Sequence, residues 1–225
     1  AVGNCLLRHS KDGVTSTVNV NGLNSVRIWG WQFEKMPYPT SYIPTVGVAR
    51  SRLGDVVNGS GNASTLNDSE GVLFVESSFE EDAPSSLSRI SISNGGTGER
   101  ILLYKSTTNK SIGVIVSNGA ASQFNTSFVY TGSADDFFKM AIKWKENDFA
   151  LWVNGVEVAT DNIGTTPVGL DELQFAGGGG TYNPFYGKTK DIHVYDVALT
   201  GLEIEALTSW TSFTEIANTF NYNII

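Results

Sequence analysis

The sequence predicts an all-β chain of short antiparallel strands, and three observations carry that prediction. Glycine is abundant and proline scarce, 24 against 6 in 225 residues, and Asn, Ser and Thr crowd between short apolar runs as turns crowd between strands. Alternation is the second: Phe138, Met140, Ile142 and Trp144 interleave with Lys139, Ala141, Lys143 and Lys145, which gives a strand one apolar face and one largely cationic face. The third is Asn-Gly at 21–22 and again at 154–155, a pair that tolerates the positive φ of a tight hairpin turn.

Taken in order, strands are expected over 14–20 and 26–33, a hairpin too small to be stable in water by itself. Residues 1–57 therefore read as a β extension, or the remainder of an upstream module, that must pair elsewhere. The polar stretch 58–69, Asn-Gly-Ser-Gly-Asn-Ala-Ser-Thr-Leu-Asn-Asp-Ser, reads as a linker loop. Beyond it, strands recur over 71–79, 87–93, 100–105, 111–117, 122–130, 137–145, 149–159, 170–176 and 187–195, a spacing that implies a sandwich or barrel over 70–210. Thr200-Gly-Leu-Glu203 is a capping box that opens a short helix, and Ser212-Phe-Thr-Glu215 repeats the device. The remaining tail, 211–225, carries Phe213, Ile216, Phe220, Tyr222, Ile224 and Ile225 and is too apolar to stay in water.

Composition removes several classes of function. A net charge of −8 leaves no surplus of Lys or Arg to displace counterions from phosphates, so nucleic acid is not an expected partner. No apolar run is long enough to span a bilayer, and membrane insertion is not expected. One cysteine, Cys5, cannot make an internal disulfide, so stability must come from burial. The start Ala1-Val2-Gly3-Asn4 has neither Met nor a leader pattern and is expected to be the front of a piece of a longer protein.

Two sets of residues carry a family resemblance. Lys139-Met-Ala-Ile-Lys-Trp144, Phe149-Ala-Leu-Trp-Val-Asn154-Gly155-Val-Glu-Val158 and Tyr186-Gly187 through Leu199-Thr200 resemble the C-terminal half of a laminin-G-like, concanavalin A-like domain. Upstream, Trp29-Gly30-Trp31-Gln32-Phe33-Glu34, Pro39-Thr-Ser-Tyr-Ile-Pro-Thr45 and Arg52-Leu-Gly-Asp55 resemble the segment that precedes such domains in bacteriophage tail, neck and fibre proteins. The resemblance implies an antiparallel two-sheet jelly-roll sandwich with one or two short C-terminal helices. It also implies a virion-associated, extracellular adhesin that binds a host-surface carbohydrate without catalysis, alongside other virion proteins and as a homo-oligomer, a trimer by analogy. The alternatives are a structural fibre or decoration domain that mediates oligomerisation, and a glycan depolymerase.

Candidate site residues follow from chemistry. In the glycine-rich loop 177–186, Tyr182 and Phe185 offer rings for a sugar face and Asn183 offers hydrogen bonds; Trp152, on the side of its strand opposite Phe149, Leu151 and Val153, is a further ring. Calcium is the metal best matched to the oxygen ligands on offer, with Glu81, Asp82, Asp135 and Asp136 as candidates. His9 and His193 have no metal-ligand spacing, and no strand carries the alternating carboxylates of a glycosidase cleft, so no catalytic residue is assigned.

Overall fold

The computed structural model describes residues 60–79, 87–106, 108–131, 133, 136–179 and 184–209. Ten strands and one helix lie among them: β1 (Glu70–Phe79), β2 (Leu87–Ser93), β3 (Arg100–Ser106), β4 (Ser111–Asn118), β5 (Ala121–Val129), β6 (Phe138–Lys145), β7 (Phe149–Val153), β8 (Val156–Asp161), β9 (Glu172–Gln174), β10 (Gly187–Tyr195) and α1 (Gly201–Ser209). They form two five-stranded antiparallel sheets, ordered β10-β1-β6-β7-β8 and β5-β4-β3-β2-β9. This is the two-sheet sandwich expected. The expected β extension, the boundary at 57, the second capping box and the apolar tail lie outside the described residues.

Alternation builds the core. On the first sheet Leu73, Ile142 and Leu151 stand abreast across β1, β6 and β7, with Val75, Met140 and Val153 in the next row. On the second, Ile92, Ile101, Val116 and Phe124 cross β2 to β5. All belong to one buried apolar cluster between the sheets, where each such side chain stabilises by about 1.5 to 3 kcal/mol. Trp144 is completely buried, its ring lying against Gly71 on β1 and its Nε1 donating to the carbonyl of Asn67 at 3.0 Å. Lys105 also points inward, completely buried, with its Nζ 4.5 to 5.4 Å from the ring centres of Phe79, Tyr130 and Phe138.

The predicted strand over 149–159 is two strands joined at Asn154-Gly155. Both residues have positive φ, 48° and 82°, and the Asn154 side chain accepts the Lys139 amide while the Gly155 amide donates to Thr208. The capping box at Thr200 forms as read: its amide and hydroxyl both donate to Glu203, and the Glu203 amide donates back. Helix α1 covers the outside of the first sheet, setting Ile204 among Val72, Phe74, Ala141, Ala150 and Trp152. The face of β6 that reads as wet is therefore partly dry, with Ala141 fully buried. Among the described residues no helix is long and apolar enough to cross a membrane.

Candidate functional site

With α1 on the outer side of the first sheet, the outer side of the second becomes the surface of interest. Registry sets its side chains in rows. One row runs Arg89, Tyr104, Gly113, Ser127 across β2 to β5. The next runs Gln174, Ser91, Leu102, Ile115, Asn125, and the third Glu172, Ser93, Arg100, Ser117, Ser122. On the β2 side of these rows Arg89, Ser91, Ser93, Leu102 and Gln174 are buried, whereas on β5 Ser122, Asn125 and Ser127 are exposed.

Tyr104 is placed by a glycine. A Cβ built on Gly113 would sit 2.4 Å from Tyr104 Cζ and 2.5 Å from its Oη, so the phenol ring lies across the bare backbone of β4. The ring is half-buried, whereas Asn125 and Ser127 beside it are exposed. An aromatic ring supported from below and flanked by amide and hydroxyl groups can stack on the apolar side of a sugar ring while its neighbours hydrogen-bond the hydroxyls.

The glycine-rich connection after β9 borders this surface. Ser91 Oγ donates to the Ala176 carbonyl at 2.8 Å and Arg100 Nη1 donates to that of Gly177. At Gly178, φ is +85° and an added Cβ would fall 2.3 Å from the Gly96 carbonyl oxygen, so the loop can press onto the 94–98 turn only as glycine.

Of the residues singled out from sequence, Phe185, Trp152 and Asp136 are among those described. Tyr182 and Asn183 lie outside the described residues. Phe185 is partly buried and packs edge-on against Phe79 and Phe175, with ring centres 5.6 and 5.5 Å away. Trp152 is only 8% exposed, because α1 lies over it with Gly201 at its ring. Of the calcium candidates, Asp136 accepts the Ser133 amide at 3.0 Å and caps a turn, while Glu81, Asp82 and Asp135 lie outside the described residues. Among the described residues no three His, Cys, Asp or Glu side chains gather as a metal site would require. His193 pairs with Asp191 at 2.9 Å on β10 and leans on Phe74 and Tyr195.

A cleft of about 420 Å³ opens elsewhere, between the turn before β1, Gly169-Leu170 and Asp196. Its polar groups hold the fold: both Asp68 oxygens accept amides, from Gly169 at 2.7 Å and Leu170 at 2.8 Å, and the Asn67 amide donates to the Asp196 carbonyl. The cleft is a brace between loops.

Residues 79–205, more than half of the chain, match the family model of the concanavalin A-like lectin/glucanases superfamily. The chain belongs to that superfamily. Among similar solved structures is the CBM40 of Ruminococcus gnavus IT-sialidase bound to α2,3-sialyllactose, with a TM-score of 0.55 and 19% identity over 68% of this chain and 94% of that one. Another is the leech intramolecular trans-sialidase complexed with 2,7-anhydro-Neu5Ac, with a TM-score of 0.52 and 18% identity over 71% of this chain and 28% of that one. At these identities the likeness is one of fold. No curated protein matches the chain in sequence.

Proposed function

We propose that this member of the superfamily is a carbohydrate-binding module that takes a glycan on the β5-β4-β3 part of the outer face of the second sheet. The observation that carries the reading is half-buried Tyr104 seated across Gly113, beside exposed Asn125 and Ser127. The superfamily's lectin branch and the sialyllactose bound to the R. gnavus module support a saccharide ligand. Binding without bond cleavage is supported by the strands themselves, since β2 to β5 contain no Asp or Glu and a glycosidase needs two carboxylates facing its scissile bond.

The upstream segments that resemble phage fibre proteins extend this reading to an adhesin on a virion, adsorbing to a host-surface glycan. That extension rests on the sequence resemblance. Tyr182 and Asn183 stay in it as candidate contacts by their chemistry.

Isothermal titration against the hits of a glycan array tests the proposal. Tyr104→Ala should weaken binding about tenfold or more, the worth of one stacked ring, and leave the melting curve near that of wild type. Unchanged affinity in a folded Tyr104→Ala variant would move the site off this face.

A further inference from the structure

We propose that the glycan this face selects is an uncharged one; the inference rests on the glycan-binding reading above. Its basis is the make-up of the open ground beside Tyr104. In a chain that is 17% charged, β4 and β5 carry no Asp, Glu, Lys, Arg or His. Strand alternation turns Val114, Val116 and Phe124 into the core. Gly113 and Ile115 on β4, with Ser127 and Asn125 opposite them on β5, turn outward, and so does Val129 in the next row. Asn125, Ser127 and Val129 are exposed.

The charges that border this ground are engaged or lie past its end. Arg89 is buried and has partners of its own. Arg100 donates to the Gly177 carbonyl. Glu99, just before β3, accepts the Gly119 amide with one oxygen and the Val168 amide at 3.0 Å with the other. Lys110 belongs to the turn before β4, beyond the row of Ser111 and Val129.

A sugar hydroxyl donates and accepts, and so do the Asn125 carboxamide and the Ser127 hydroxyl. The Tyr104 ring and Val129 offer apolar ground to the C–H face of the same sugar. A carboxylate or sulfate is an acceptor that, on this ground, would exchange water for neutral donors, whose bonds are about half as strong as charge-assisted ones. The net charge of −8 adds a field that repels an approaching anion.

A glycan array probed with the full chain, followed by titration of each hit and of its sialylated or sulfated counterpart at low and at high salt, tests the inference. The hits should be uncharged glycans, each bound about tenfold tighter than its acidic counterpart at low salt, with a neutral affinity that hardly moves as salt rises. Asn125→Ala and Ser127→Ala should each weaken a hit about threefold to tenfold, the worth of one neutral hydrogen bond, and leave the melting curve near that of wild type. Ser127→Lys, which sets a cation beside Tyr104, should improve binding of the acidic counterpart at low salt and lose that gain at high salt. If a variant does not fold, the wild-type comparison alone decides. Acidic glycans bound as tightly as their neutral counterparts, or more tightly, would overturn the inference and leave glycan binding standing. Neutral hits bound unchanged by both folded alanine variants would overturn it too, because the sugar would then lie off β5. Failure of folded wild type to bind any array member would overturn both readings.

Discussion

Tyr104 on β3 rests against Gly113 on β4 so closely that no side chain fits beneath it. The same arrangement holds inside the sandwich, where Trp144 on β6 lies over Gly71 on β1. In each pair the glycine supplies room and the cross-strand neighbour supplies the ring.

Gly113→Ala should therefore lift Tyr104 and overpack the strand pair, since the new Cβ would also fall 2.7 Å from the Thr126 carbonyl. We expect a loss of about 1 to 3 kcal/mol in urea unfolding, with weakened glycan binding. Adding Tyr104→Ala to that background should recover part of the stability. Additive losses in the double-mutant cycle would show that ring and glycine are not coupled.

Trp144→Ala removes the largest wholly buried side chain and leaves the Asn67 carbonyl without its indole donor. The expected cost is about 3 to 5 kcal/mol. A melting point within a degree or two of wild type would contradict the position of Trp144 in the core.

Gly155→Ala places a Cβ on a residue at φ +82° and 2.7 Å from Ser209 Cβ, where α1 ends. Left-handed backbone alone should cost about 1 to 2 kcal/mol. Asn154→Gly, which keeps the turn conformation but loses the bond to the Lys139 amide, should cost less. A reversed order in chemical denaturation would refute this account of the hairpin.

The helix cap predicts a pH dependence. The Glu203 carboxyl is held below 4.5 by hydrogen bonds from the Thr200 backbone first and the Thr200 hydroxyl second, with burial opposing. A carboxyl whose folded value is depressed contributes stability that is full above its unfolded value and is lost as pH falls through the folded one. Glu203→Gln should thus melt below wild type at neutral pH, and the difference should close in acid. Thr200→Ala should cost about 1 kcal/mol at neutral pH. A Glu203→Gln difference that persists unchanged at pH 3 would mean that the cap does not titrate.

The sheets were legible in the sequence because alternation and turns are local. Asn154-Gly155, the capping box at Thr200 and the inward row through Met140, Ile142 and Trp144 each announce themselves within a few residues. The binding face is written differently. Arg89 and Arg100 lie eleven positions apart and share a surface only because Ile92 pairs with Ile101, and nothing near Tyr104 reveals that its neighbour will be Gly113. Aromatic residues in the loop drew attention because their exposure seemed assured by the glycines around them. What their sequence could not show is that the Phe185 ring meets Phe79 and, ten residues upstream, Phe175.

Along β2 to β5 every second side chain turns into the core between the sheets and the others turn away from it. Two messages are thus interleaved in the same thirty-odd letters, one for the inside of the sandwich and one for its outer side. Evolution can redraft the outward letters at little cost to the inward ones. Chains with this fold and different appetites are expected to differ at the positions of Tyr104, Asn125 and Ser127 while keeping those of Ile90, Ile101, Leu103 and Val114, and a change of taste need not be a change of architecture.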